Sequence, residues 1–281
     1  MDEPTALSML EAVVDHAGDD AAVVDGHVLT IDMLHDETDF PDGVTRYTAG
    51  WRSVGASLSD VAAMGANPIA AVAAYGAPRF DAGELEAFVR GAQEVCELVG
   101  AQYVGGDLDT HHEFTVATAV LGEANAPVLR SGARPGDAVY VTGRLGRTVA
   151  AIDAFDAGDT DRGNDRFRFL PRVAVGIELA PHATAMMDSS DGLARSLHQL
   201  AAASSCGFDI ERDEIPVVDD LDPADPRLLF FGEDFELVLT APPGTINTNG
   251  YATPVTRIGR VTERGVSIDG EPLEDRGFQH G

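Results

Sequence analysis

Lysine is absent from the 281 residues of this chain. That excludes a lysine Schiff base, a pyridoxal-phosphate attachment and the lysine of a P-loop. An anionic ligand must be held by arginine, by backbone N–H groups or by a metal ion. Cysteine occurs only twice, at Cys96 and Cys206, a spacing that forms neither a zinc motif nor a disulfide framework. Cys96 falls on the apolar stripe Leu85, Phe88, Val89, Ala92, Cys96, Val99 and is expected in the core. No apolar run approaches the roughly 20 residues of a membrane helix, and the acidic N-terminal stretch lacks a signal-type apolar segment. The expectation is a cytoplasmic protein with no membrane partner.

Positive charge is scarce as well: 19 basic residues, all Arg, face 47 acidic ones, for a net charge of −28. Such a field repels nucleic acid and anionic lipid. It reads as adaptation to very high salt, where the Debye length falls to about 3 Å and hydrated carboxylates keep the chain soluble. The 44% apolar content is ample for a packed core in one large domain or two ordinary ones.

Carboxylates recur where apolar runs give way to turns or helix ends. They are Asp19 and Asp20, Asp32, Asp60, Asp107, Asp188 with Asp191, and Glu233 with Asp234. Gathered in one cleft they would repel one another unless cations lay between them. Oxygen-only ligands favour Mg²⁺ or Ca²⁺, and Mg²⁺ commonly joins a few carboxylates to substrate phosphates. A metal-nucleotide enzyme is the first-order reading.

Residues 21–32 read as a hairpin about Asp25-Gly26, a dipeptide that favours a type I′ turn. This brings Asp20 and Asp32 to the same end of paired strands. A helix is expected from about Ala49 to Met64, with Val54, Leu58, Val61 and Ala62 on its apolar face. Asp60 lies about 240° from Val54, off that face, where a solvated position is the plain alternative to a ligand. A strand over 70–77, a helix over 82–99, a short strand into Gly105-Gly106-Asp107 and a strand from Phe114 to Leu121 follow. The stretch from Ala124 to Pro135 reads as a junction, dividing domains at 1–125 and 126–281.

Beyond it, a strand from Ala138 to Thr142 meets a turn, Gly143 to Gly146, that opens a helix and could receive phosphate there. Residues 156–166 and 216–227 read as acidic surface loops, the first lacking the EF-hand register. A buried strand, Ala183 to Met187, ends in Asp188-Ser189-Ser190-Asp191-Gly192. Ser190 or Asp191 could cap the next helix, whose core face carries Leu193, Leu197 and Leu200. Capping leaves the second carboxylate unexplained. A last strand, Phe235 to Thr240, follows Gly232-Glu233-Asp234.

In order along the chain, GDDAAV, the T-x-D strand end, LSDVAAMGANP, GGD, LRSGARPGDAVYVTG, PRV, DSSDGL and GEDFEL resemble the thiamine-monophosphate kinases. These belong to the superfamily that includes aminoimidazole ribonucleotide synthetase. The resemblance covers nearly the whole chain. It implies an α+β protein of two domains: an N-terminal mixed sheet with helices, which forms a homodimer, and a C-terminal α/β sandwich domain. It also implies ATP-dependent phosphorylation of thiamine monophosphate with Mg²⁺. Asp20, Thr30, Ile31, Asp32, Asp60, Asp107, Asp188 and Asp191 fall on the family's metal positions, Ile31 through its backbone oxygen. Gly106, Asp107, Arg130 and Ser190 fall on nucleotide positions and Glu233 on a substrate position. Asp107, Arg130 and Asp188 are the residues expected to act in catalysis. Two substrate positions depart from the pattern: Asp39 stands where the family has His, and Asp275 near its C-terminal aromatic, with Phe278 the nearest aromatic here. Another ATP-dependent enzyme of the superfamily, or a non-catalytic metal- or nucleotide-binding member, remains the alternative.

Overall fold

The computed structural model describes residues 9–10, 13–14 and 17–277. Its first half is a five-stranded sheet of β1 (Ala22–Val24), β2 (His27–His35), β3 (Asn67–Ala77), β4 (Gln102–Thr110) and β5 (Thr115–Glu123), in the order β1-β2-β5-β3-β4. Asp25 and Gly26 both have positive φ, 51° and 81°, which is the conformation a type I′ turn needs. Only β3 and β4 run parallel, joined across one face by helix α2 (Ala82–Leu98). Alternation in β5 buries Val116, Thr118 and Val120 toward the helices.

Helix α1 (Arg46–Ala63) starts three residues earlier than the apolar periodicity suggests, because Thr45 caps it by accepting from Thr48 N. Fourteen of its eighteen residues are buried, so it has no solvent face of ordinary width. One side packs on the five-stranded sheet through Val54, Leu58 and Val61. The other meets the second half of the chain through Ala62 and Ala63. Small residues permit this closeness. A Cβ added to Gly50 would lie 2.1 Å from the carbonyl oxygen of Phe88 in α2, and one on Gly91 would lie 2.0 Å from that of Tyr47.

The second half is a seven-stranded sheet of β6 (Ala138–Thr142), β7 (Ala185–Asp188), β8 (Gly207–Ile210), β9 (Leu237–Ala241), β10 (Val255–Thr262), β11 (Gly265–Ile268) and β12 (Glu271–Pro272). Its order is β12-β11-β8-β10-β6-β9-β7. Helices α3 (Arg147–Asp156), α4 (Thr160–Phe167), α5 (Val173–Leu179) and α6 (Leu193–Ser204) complete it. The central strands β6 and β9 are buried along their whole length. Val139, Val141 and Met187 face Leu193, Leu197 and Leu200 of α6 on one side. Tyr140, Met186 and Leu239 face Val173 and Leu179 of α5 on the other.

One expectation fails here. The acidic stretch 156–166 is not a loop throughout, since it contains α4, capped by Asp159 accepting from Arg162 N at 3.2 Å. The helix survives its polar composition because Phe167 packs in the core. Asn164 turns inward, accepting from Thr45 N and donating to Gly43 O, both at 2.9 Å.

Candidate active site

Three carboxylates meet where the two halves touch. Asp20 precedes β1, Asp60 lies in the last turn of α1, and Asp188 ends β7 at the edge of the second sheet. One carboxylate oxygen from each lies within 4.8 Å of the others. The freely solvated alternative for Asp60 is thereby corrected: the side chain is half-buried beside Asp20 and Asp188, because the face of α1 opposite its sheet-facing residues looks into the second half. Thr30 of β2 donates to Asp60 Oδ2 at 2.5 Å. Desolvation, then the charges of Asp188 and Asp20, raise the Asp60 carboxyl well above the usual carboxylate range. Burial, then the charge of Asp20, pushes Asp188 up to about 8. Asp188 Oδ2 and Ser59 Oγ are both buried without a hydrogen bond of ordinary geometry. The Ser59 hydroxyl only partly offsets the raised Asp188 pKa, so the carboxylate costs free energy unless a cation or proton also sits against it. An oxygen-only donor set with an orphaned carboxylate oxygen fits a hard divalent cation.

Arg130, in the segment between the halves, places a planar fork on Asp20, with Nε to Oδ2 at 3.2 Å and Nη2 to Oδ1 at 3.0 Å. Its backbone N–H donates to Asp19 Oδ1 at 3.0 Å. Burial works against the charged guanidinium, but Asp20, then Asp188 and Asp19, outweigh it and hold the group above its ordinary range. Burial and the Asp20 charge also raise Asp19, to about 6.

The other expected residues divide into near and far. Asp32 shares the helix-facing row of the first sheet with Thr118, Ala73 and Gly106. Ile31 points outward and is 74% exposed. Asp107 lies on the outward row with Met33, Ala117 and Ala74. That places it three strands from β2, about 14 Å away at 4.7–4.9 Å per strand, and on the opposite face from Asp60. Gly106 and Asp107 line an apolar cavity of about 400 Å³ with Tyr75, Phe88 and Tyr103. A Cβ on Gly106 would strike the Ala73 carbonyl oxygen at 1.8 Å, so only glycine fits there.

Ser190 and Asp191 follow Asp188 in a turn that packs backbone to backbone on 232–235. Glu233 N donates to Ser190 O at 2.6 Å. The N-cap of α6 is Gly192, so neither Ser190 nor Asp191 stands at the capping position. Glu233 accepts from Arg52 Nη2 at 2.6 Å. Asp39 turns back on its own segment, accepting from His35 N at 2.7 Å. Asp275 pairs with Arg195 at 2.7 Å, and Phe278 lies outside the described residues. The glycine turn before α3 is not open to phosphate. Asp234 fills that helix start, accepting from Gly146 N at 2.6 Å and Thr148 N at 2.9 Å. Burial, partly offset by those two bonds, raises its carboxyl to about 6.

Sequence reasoning missed Arg52. Its signal was a single charge among the small and apolar residues between Tyr47 and Ser59.

Two family models match this chain, the AIR synthase related N-terminal domain over 18–124 and the C-terminal domain over 134–270. A thiamine-monophosphate kinase of Halobacterium salinarum is 62% identical over 288 residues, covering 100% of both chains. The chain belongs to the thiamine-monophosphate kinase family. A second family member, from Methanospirillum hungatei, is 39% identical over 100% of this chain and 99% of its own. AaThiL, complexed with AMPPCP and TMP, superposes with a TM-score of 0.92 at 27% identity, covering 100% of this chain and 97% of that one. The Halobacterium relative fits the high-salt reading of the composition. No helix among the described residues is long and apolar enough to cross a membrane.

Proposed function

We propose that this chain transfers the terminal phosphoryl group of ATP directly to the phosphate of thiamine monophosphate, giving thiamine diphosphate and ADP. The carrying observation is the carboxylate cluster of Asp20, Asp60 and Asp188 in a chain so similar, end to end, to a thiamine-monophosphate kinase. The ligands of AaThiL support the same pair of substrates.

Asp20, Asp60 and Asp188 would hold Mg²⁺, with Thr30, Asp32, Asp191 and the Ile31 backbone oxygen around them. Bound there, Mg²⁺ supplies positive charge where phosphate oxygens crowd together. Arg130 is always charged and planar, so it can exchange Asp20 for a nucleotide phosphate without any proton transfer. The attacking oxygen belongs to a phosphate largely ionised at pH 7, given a second pKa near 6, so no strong general base is required. What the protein contributes is in-line placement and charge compensation. Glu233, Asp39 and Asp275 would serve the organic part of the acceptor, and Ser190 the nucleotide.

Asp107 cannot join its own chain's cluster from the far face of the sheet. We infer a homodimer formed through that face, where Leu29, Ile31, Met33, Val72 and Val104 are exposed. In it, Asp107 would serve the partner's nucleotide, with Gly106 beside it on the same edge strand. The same reading places the domain division at 1–125 and 126–281 and the protein in the cytoplasm.

The test is ATP turnover with thiamine monophosphate, thiamine and formylglycinamidine ribotide offered in parallel, with and without Mg²⁺. Turnover confined to thiamine monophosphate with Mg²⁺ is expected. Turnover with the ribotide alone would move the chain to the synthetase branch.

A further inference from the structure

Arg52 is a charged side chain where a helix of small residues should have none. Only 1% of it is exposed. Its guanidinium lies 3.7 Å from the centroid of Phe167, and 5.5 and 5.4 Å from those of Phe169 and Phe235. The last two rings stack on each other at 4.3 Å and 9°. Nη1 donates to Phe167 O at 2.7 Å, while Nη2 donates to Glu233 O at 3.0 Å and to Glu233 Oε2 at 2.6 Å. Arg52 therefore reaches from α1 into the second half and grips one residue by both backbone and side chain.

That residue sits in a strained turn. Gly232, Glu233 and Phe235 have φ of 80°, 64° and 53°. Two non-glycine excursions within three residues, at Glu233 and Phe235, cost of order 1–3 kcal/mol each and persist only when surroundings hold them. Thr148 Oγ1 donates to the same Glu233 carbonyl at 2.6 Å, and Asp234 is anchored on α3. Arg52 is the only one of these anchors that touches the Glu233 carboxylate itself among the described contacts.

We propose that Arg52 is a positioning residue for the phosphate acceptor: it fixes the Glu233 carboxylate at a set distance and angle from Asp60. Both Arg52 and Asp60 belong to α1, eight residues apart, about 12 Å along a rigid axis. One helix thus spaces the acceptor's contact from the metal cluster. The inference rests on the reading that Glu233 meets the acceptor. An ordinary buried ion pair would stabilise the fold without distinguishing one substrate from the other.

The experiment compares wild type, Arg52→Lys, Arg52→Met, Glu233→Gln and the double variant Arg52→Met/Glu233→Gln. It measures KM for thiamine monophosphate and for ATP, melting temperature, and amide deuterium exchange over 232–236. Arg52→Met should raise KM for thiamine monophosphate about tenfold or more while KM for ATP changes by less than about twofold. The double variant should be no worse than Glu233→Gln alone, because the two residues act as one unit. Lysine keeps the charge but not the planar fork, so Arg52→Lys should be intermediate, about threefold. If Arg52→Met does not fold, Arg52→Lys decides alone. An unchanged KM for thiamine monophosphate beside a lowered melting temperature would overturn the proposal, as would full additivity. Should wild type not phosphorylate thiamine monophosphate, the functional reading fails instead. Exchange then still judges the positioning: faster exchange over 232–236 in Arg52→Met upholds it, and unchanged exchange overturns it.

Discussion

Asp188 ends a buried strand with its carboxyl sealed from water and two other carboxylates beside it. Its folded-state pKa of about 8 stands above the ordinary 3.8. The native state therefore binds more protons than the unfolded chain between those values, so stability falls as pH rises through that window. Without metal, the melting temperature should drop steadily from about pH 4 to pH 8. Asp188→Asn should flatten that slope and melt higher than wild type at pH 8, while losing nearly all turnover. Calorimetry in EDTA checks both, and a wild-type slope unchanged by the substitution would show that the charge is compensated elsewhere. The residues of this cluster were legible as types and as neighbours of turns. Their meeting was not, because Asp20 and Asp188 lie 168 positions apart and are brought together by packing between the halves, with α1 against the second sheet and Phe40 and Phe114 against Phe155 and Phe167.

At the scale of elements, α1 does most of the assembling. The ends of α2 and of β6 match sequence expectation closely, since a clear cap at Asp81 and an unbroken apolar run fix them. The orientation of α1 could not be read the same way. A helix buried on nearly all sides has no hydrophobic face to give its bearing, so the angle of Asp60 from Val54 pointed to solvent. For α4, a polar composition hid a helix held by one phenylalanine and one inward asparagine. The backbone contact between α1 and α2 yields a direct prediction. Gly50→Ala puts a methyl against the Phe88 carbonyl oxygen, which cannot withdraw without moving α2. It should cost roughly 1–3 kcal/mol by the usual scale of overpacking. Urea unfolding measures it, and Gly26→Ala is no control because its φ is positive. Ala49→Gly, which opens space in the same turn, distinguishes crowding from helix propensity.

The whole molecule carries a charge of −28 without one lysine to relieve it. In 0.01 M salt the Debye length is about 30 Å, so the acidic surface repels itself across its full width. Melting temperature and the dimer fraction by light scattering should both rise as KCl increases to molar levels. A salt-independent melting temperature would show local neutralisation by the arginines. The outward placement of Asp107 supplies a second test of assembly. Mixed after separate purification and exchange of subunits, Asp60→Asn and Asp107→Asn proteins, each inactive alone, should recover about a quarter of wild-type turnover. Half of the dimers would be mixed, each with one intact site, if Asp107 serves the partner. No recovery would place Asp107 in its own chain's chemistry.

The bidentate grip of Arg130 on Asp20 has a thermodynamic corollary. In the ligand-free protein the arginine is the counterion of the very carboxylate that Mg²⁺ needs, and the carboxylate occupies the very fork that a nucleotide phosphate needs. Either ligand arriving alone must break that pair and leave one member uncompensated. Arriving together they take one partner each, so each should bind far more tightly in the presence of the other, by the same factor in both directions. Titration calorimetry of AMPPCP with and without Mg²⁺, and of Mg²⁺ with and without AMPPCP, measures that factor. Arg130→Gln should shrink it toward one by freeing Asp20 in advance. The chain would then carry its own guard against idle occupancy, a latch opened by two keys turned at once.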